Sequence, residues 1–100
     1  MDAKNTYVHK FKETFVYEDK KYDELVFDFS KLRGRDIIAV QNEMISTGTM
    51  SISPELQSDF QAKIAARAAN IGNDLIESLP VRDFMIITGK ARGFLLDTNF

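Results

Sequence analysis

The side chains that most often perform catalysis are sparse in this sequence. It contains one histidine, His9, and no cysteine, which excludes a thiolate nucleophile and a cysteine-based metal site. Zinc would require carboxylates at unrelated spacings around that single imidazole. A histidine–carboxylate base is conceivable at His9, but the alternation of its neighbours favours a residue on a strand surface. We therefore expect no enzyme activity, no catalytic residue, no metal site and no cofactor.

Two short motifs resemble ligand-binding loops but lack essential positions. The carboxylates between residues 19 and 28 do not have the alternate spacing and internal glycine of a calcium loop. Residues 88–90, Thr-Gly-Lys, match the end of a phosphate-binding loop, but Phe84 stands where its first glycine is required. Neither motif predicts a site.

Composition and charge indicate one globular domain. The chain has 100 residues, of which 44% are hydrophobic, and a formal net charge of -2. This length corresponds to a single domain, and the apolar content argues against disorder. The acidic balance disfavours nucleic-acid binding, which needs a clustered basic surface. Because no apolar run is long enough for a signal peptide or a membrane span, we expect a cytoplasmic protein that contacts neither nucleic acid nor membrane.

Residues 7–29 alternate in the manner of a β-hairpin. The odd positions of its first strand are mostly aromatic, and aromatic side chains suit a half-buried pleated surface. One face of its second strand carries Leu25, Phe27 and Phe29. Residues 18–21 form the connection, in which Asp19 tolerates a left-handed conformation. Two strands alone are only marginally stable in water, so the hairpin is expected to pack on a helix or on another subunit.

Two helices are predicted next. The first covers residues 34–47, where apolar side chains recur at helical spacing and Gly48 provides a stop. The second begins with Ser53 as its N-cap and Pro54 at its first position, and ends near Ile71. Charged side chains four residues apart are expected to pair with one another along its solvent side: Asp59, Lys63 and Arg67.

A third helix is predicted from Pro80 to about Leu96, after a short turn at 74–78. Its apolar side chains span an arc of roughly 200°, wider than the ~100° of a surface helix, which indicates burial on several sides, partly by another chain. Gly89 and Gly93 form a small-residue notch that would let another backbone approach closely, unless Gly89 simply breaks the helix. Partner binding and self-association both remain open. The candidate partner-binding residues are Phe84, Met85, Ile87, Gly89, Gly93, Phe94 and Leu95.

Five segments are informative by their order and spacing: Phe15–Leu25, Phe27–Ile37, Ala65–Ile71, Leu79–Phe84 and Phe94–Leu96. Together they resemble the family of small phage tail assembly chaperones. The resemblance covers residues 11–96, with one departure at Asp19, where the family commonly has glycine before the lysine. The predicted fold is a single α+β domain over residues 1–100, with an N-terminal β-hairpin followed by three main helices, and with 1–6 and 97–100 flexible.

The resemblance implies a role in protein assembly rather than in catalysis. Chaperones of this family bind the long, aggregation-prone tape measure protein in the host cytoplasm, help the tail tube to build around it, and are usually absent from the finished virion. Homo-oligomer formation is compatible with this role. Two rival functions are a structural tail component, such as a tube or connector subunit, and a small DNA-binding regulator, which the acidic charge disfavours.

Overall fold

The computed structural model describes residues 5–97, and it confirms the α+β fold. An antiparallel hairpin precedes three long helices and one short one. The elements are β1 (Thr6–Tyr17), β2 (Lys20–Asp28), α1 (Gly34–Ser46), α2 (Ser58–Ala69), α3 (Asn73–Glu77) and α4 (Val81–Leu95), with single 3-10 turns at Phe29–Lys31 and Pro54–Leu56. Of the segments predicted to be flexible, 1–4 and 98–100 lie outside the described residues, whereas Thr6 already belongs to β1.

The hairpin is closed by a turn shorter than the sequence suggested. Tyr17 pairs with Lys20, so the loop contains only Glu18 and Asp19. Both loop residues have positive φ, 49° and 65°, which is typical of a type I′ turn whose twist matches that of the strands. The left-handed conformation expected of Asp19 is confirmed, and the predicted connection at 18–21 is corrected because its two lysines belong to β2.

Replacing both loop residues at once, with the double substitution Glu18→Asn and Asp19→Gly, should stabilise the fold. The left-handed region disfavours most L-residues by about 1–2 kcal/mol, whereas asparagine and glycine tolerate it. We expect a gain of about 1 kcal/mol, or a rise in Tm of roughly 4–8 °C. Thermal unfolding followed by circular dichroism measures it, with Glu13→Asn, at an exposed strand position, as the control that should show no gain. An unchanged Tm in the loop variant would contradict this account of the turn.

The inner side of the hairpin carries a row of aromatic rings. The pairing shifts between Lys10 and Phe15, and this irregularity brings Tyr22 beside Phe15, with ring centroids 6.4 Å apart. Phe15 also stacks on Phe11 at 5.5 Å and on Tyr17 at 6.4 Å. These half-buried rings pack against the core, and the two strands contact α4 and α2 respectively. The hairpin therefore rests on helices of its own chain.

Helix α2 is the centre of the domain. It contacts α1, α3, α4 and β2, and seven of its twelve residues are buried: Phe60, Gln61, Ala62, Ile64, Ala65, Ala66 and Ala68. Because alanine is small, neighbouring elements can approach this helix from several directions. The helix that is buried on several sides is therefore the second predicted helix, and not the third.

The predicted beginning of the second helix at Ser53 and Pro54 is wrong. Residues 54–56 form a separate 3-10 turn, and Gln57 is extended, with φ -97° and ψ 128°. The Gln57 side chain donates to the carbonyl of Thr49 at 2.6 Å, and that of Gln61 donates to the carbonyl of Glu55 at 2.9 Å. These contacts with the preceding segment hold the chain out of helical conformation until Ser58. The predicted end near Ile71 is two residues late, because Asn70 is left-handed, with φ 56°.

Charged side chains of α2 join it to α1 rather than to one another, which corrects the predicted pairing along α2. Lys63 pairs with Glu43, and the Arg67 guanidinium donates to Asp36 Oδ1 at 2.9 Å. Asp36 also accepts the backbone N–H of Arg33 at 2.7 Å, at the beginning of α1. The Asp36 carboxylate thus caps the beginning of α1 and also binds Arg67 of α2. At the other end of α1, the predicted stop is confirmed, since Gly48 has φ 74°.

Acid is expected to weaken this junction. The backbone N–H of Arg33 and the hydrogen bond from Arg67 lower the pKa of Asp36 below its ordinary 3.8. A folded-state pKa below the unfolded one means that the stabilisation is present above the unfolded pKa and is lost as pH falls through the folded pKa. Asp36→Asn should therefore lower the urea midpoint near pH 7, and the difference from the unmodified chain should shrink towards about pH 2. Asp74→Asn, at an exposed helix beginning, is the control. A difference that is independent of pH would contradict the assignment.

The last third of the chain holds α3 and α4. The segment predicted as a turn at 74–78 is mostly the five-residue helix α3, which buries Leu75 and Ile76. Helix α4 continues through Gly89 and Gly93, so the alternative that Gly89 breaks the helix is wrong. Its predicted extent, from Pro80 to about Leu96, agrees closely with the structure.

Candidate partner-binding face

Helix α4 turns one side to solvent, and this side is termed its outer face. The outer face includes the C-cap residue Leu96. The exposed fractions of its large apolar residues are 77% for Val81, 63% for Met85 and 43% for Leu96. Every residue assigned to the outer face is exposed: Val81, Arg82, Met85, Gly89, Arg92, Gly93 and Leu96. Along the helix, Val81 and Met85 precede the two glycines and Leu96 follows them.

The opposite side of α4 belongs to the core. It contacts α2 and β1, and its buried residues are Asp83, Ile87, Thr88 and Ala91. The wide apolar arc predicted for this helix therefore contains two different surfaces. Other elements of the same chain bury most of the arc. This corrects the expectation that a second chain is required to bury it.

The structure divides the predicted partner-binding residues into three groups. Ile87 is completely buried and is therefore unavailable to a partner. Phe84, Phe94 and Leu95 are half-buried against the core, and the Phe94 ring stacks on Phe29 with centroids 5.2 Å apart. The remaining residues, which lie on the outer face, are Met85, Gly89 and Gly93. Partner binding at these three residues stays a prediction.

Sequence reasoning did not include Val81 and Leu96 among the candidates. Both are as apolar as the residues that were chosen, so hydrophobicity alone could not distinguish them. The signal that could have done so is Asp83. On a helical wheel this carboxylate lies about 20° from Phe94 and about 40° from Ile87, and a charge inside an apolar arc marks the side that has a buried partner.

That buried partner is His9. The Nε2 atom of His9 lies 2.6 Å from Asp83 Oδ1, and its Nδ1 atom lies 2.8 Å from the Tyr7 hydroxyl. His9 is only 2% exposed, so the expectation of a strand surface residue is wrong. The His9 side chain lies on the inward face of β1, where both of its ring nitrogens have hydrogen-bond partners. A buried polar group requires such partners.

The hydrogen bonds define a consistent protonation pattern. The Tyr7 hydroxyl donates to Nδ1 when His9 carries its proton on Nε2, and the Nε2–H then donates to Asp83. Burial raises the pKa of the Tyr7 phenol above its ordinary 10.0, so the phenol keeps its proton at neutral pH. Both imidazole nitrogens are thus engaged within the protein. The arrangement joins β1 to α4 and fixes which side of α4 faces outwards.

The two exposed glycines have no packing role inside the chain. A Cβ atom placed on Gly89 or Gly93 would meet no atom within 4 Å, and both residues have ordinary helical neighbours. Each glycine weakens a helix by about 1 kcal/mol relative to alanine. Beside them runs a shallow groove lined by Asn5, Phe29, Lys90, Phe94 and Asp97, together with the glycines themselves. The notch is open to solvent in the single chain.

Positive charge predominates around the outer face, although the exposed carboxylate of Asp97 also lies beside the notch. Arg82 and Arg92 belong to it, and Lys90 lies at its border, 4.9 Å from the centre of the Tyr7 ring. The acidic residue of α4, Asp83, points inwards to His9, although Arg82 approaches it to 3.6 Å. The face is therefore apolar in character with a basic rim.

Other exposed apolar residues lie on the hairpin, on α1 and in the segment before α2. On the outer side of the hairpin Val8 pairs with Val26, next to the pair of Lys10 and Glu24. Further exposed apolar side chains are Val16, Ile38, Ile45, Ile52 and Leu56. Isolated exposed apolar residues are normal on soluble proteins. These surfaces supply useful controls for the outer face.

Within residues 5–97 no three potential metal ligands of the histidine, cysteine, aspartate and glutamate type come together. In the same part of the chain no helix combines the length and apolarity that crossing a bilayer requires.

Comparison with known proteins found no match: no family model, no curated protein and no solved structure is significantly similar to this chain.

Proposed function

We propose that this protein is a phage or prophage tail assembly chaperone. In this role it binds the tape measure protein in the host cytoplasm, assists assembly of the tail tube, and is absent from the mature virion. The observation that carries the proposal is the exposed outer face of α4, where Val81, Met85 and Leu96 are uncovered and lie on both sides of two exposed glycines. The resemblance over residues 11–96 supplies the identity of the partner.

The physical demands on such a chaperone fit this surface. A long partner that is helical and apolar in patches requires an adaptable apolar contact, and methionine supplies it because its side chain is flexible and polarisable. Met85 lies at one end of the notch and is 63% exposed. Val81 and Met85 form one exposed apolar group on this face and Leu96 a second, and exposed apolar surface bordered by polar residues is typical of interaction sites.

Co-expression with the tape measure protein tests the function directly. The unmodified chain should keep the tape measure protein soluble and co-purify with it, whereas the tape measure protein alone should aggregate. If the chain leaves the tape measure protein insoluble, the proposal is wrong. If the chain is instead a stoichiometric part of purified finished tails, it is a structural tail component.

Met85→Glu is expected to reduce recovery of the soluble tape measure protein about tenfold, because it places a charge in the apolar contact. The matched control is Ile38→Glu on α1, since Ile38 is similarly exposed, at 57% against 63%, and lies outside the outer face. Both variants should retain the unmodified Tm, because surface substitutions usually change stability by about 0.5 kcal/mol or less. Equal loss of recovery in the two variants would remove α4 as the binding surface.

A further inference from the structure

We infer that the outer face of α4 binds an acidic amphipathic helix of the partner, which lies along the glycine notch with carboxylates on both sides. This inference rests on the proposed function and defines the partner segment that the chaperone recognises. It follows from the shape of the face, from its charge, and from the way the same face would meet a second copy of itself.

The shape of the face favours a helix. Gly89 and Gly93 are separated by about one helical turn, roughly 6 Å along the axis, and no protein atom occupies the space where their side chains would be. A partner backbone can therefore approach closely at the centre of α4. Exposed Met85 and Leu96 lie on either side of this centre, where they would contact apolar side chains of the approaching helix.

The charge of the face selects an acidic partner. The whole chain has a net charge of -2, yet the exposed charged residues of α4 are Arg82, Lys90 and Arg92, all positive. The rest of the chain is net acidic, so the excess positive charge is concentrated on α4. Complementary charge steers association and rejects partners of the wrong sign.

A second copy of the chain fits this face poorly. In a twofold-symmetric dimer the same patch meets itself, so the basic rim of one α4 would lie against the basic rim of the other. Like charges brought together in this way oppose association. An anionic membrane would satisfy the charges, but a helix with glycines at the centre of its exposed face offers little apolar surface for insertion between lipids.

Three helical peptides of about 20 residues provide the probe, since this length exceeds that of α4. They share one leucine and alanine face and carry only glutamate, only glutamine or only lysine on its flanks. Fluorescence anisotropy with the full chain should rank them glutamate, glutamine, lysine, with about tenfold between the first and last, as several exposed ion pairs together supply. Raising the salt concentration should compress the ranking, because it screens exposed charges.

Charge reversal on the protein is the decisive experiment. The double variant Arg82→Glu and Arg92→Glu should invert the peptide ranking, while Lys10→Glu and Lys12→Glu, which make the same change on the hairpin, should leave it unchanged. Circular dichroism confirms that each variant is folded. A ranking that survives reversal at α4, or the binding of no peptide, overturns the inference.

Two further outcomes overturn the inference. Tighter binding to vesicles of phosphatidylcholine with about 30% phosphatidylserine than to the glutamate peptide would assign the face to a membrane. A dimer mass in light scattering that Gly93→Leu abolishes would assign it to a second copy. If the unmodified chain solubilises the tape measure protein and the reversed variant does so equally, the inference fails while the proposed function stands. If the unmodified chain does not, the proposed function fails whatever the peptides show.

Discussion

Replacing Asp83 with alanine is expected to destabilise the protein by about 3 kcal/mol or more, because it leaves His9 buried without its acceptor. His9 is 2% exposed and its Nε2 atom lies 2.6 Å from Asp83 Oδ1. For a domain of this size, 3 kcal/mol corresponds to a fall in Tm of at least about 12 °C. Urea denaturation followed by circular dichroism measures the change.

Two further variants separate the hydrogen bond from simple packing. Asp83→Asn keeps an oxygen that accepts the Nε2–H, and should cost clearly less than alanine. The pair His9→Leu and Asp83→Leu removes both polar groups, and should be less destabilising than the sum of the single changes, since no unpaired polar group remains. Additive single changes would show that His9 and Asp83 act independently, contrary to the contact described here.

Gly93→Leu should raise stability and abolish partner binding in the same molecule. No atom lies within 4 Å of the Cβ position, so a side chain can begin there without a clash, and leucine favours helix over glycine by somewhat less than about 1 kcal/mol. A rise in Tm of roughly 4 °C is expected. The same side chain fills the notch, so soluble tape measure protein should no longer be recovered on co-expression.

Gly93→Ala provides a graded test, with a similar gain in Tm and a smaller loss of binding because a methyl group fills less of the notch. Gly72→Ala is the control, since it also meets open space but lies at the beginning of α3. It should leave partner recovery unchanged. Retained recovery in Gly93→Leu together with a raised Tm would mean that the notch does not take part in binding.

The buried contact and the exposed notch are two sides of one helix. Asp83 turns inwards to His9 on β1, and the glycines consequently turn outwards. Loss of the Asp83 contact is therefore expected to disturb the orientation of the outer face as well as the stability of the domain. Partner binding by Asp83→Ala should be compared only at temperatures well below its own melting transition.

The predictions that depended on neighbouring residues agree best with the structure. The hairpin followed from alternation, and the inward positions of Leu25, Phe27 and Phe29 are all buried. The end of α1 followed from Gly48, whose positive φ is a local property of glycine. The beginning of α2 could not be read in this way, because Gln57 is held extended by a contact with Thr49 that lies eight residues away.

The candidate site shows the same division more sharply. The sequence by itself determined that α4 is a helix, that its apolar arc is too wide for a simple surface helix, and that two glycines interrupt it. Only the tertiary structure decided which part of that arc is core and which is open. Helical periodicity gives the angle between side chains but no direction towards the rest of the protein, and that direction is set by distant partners, His9 against Asp83 and Phe29 against Phe94. These contacts join residues more than sixty positions apart, and no local pattern encodes them.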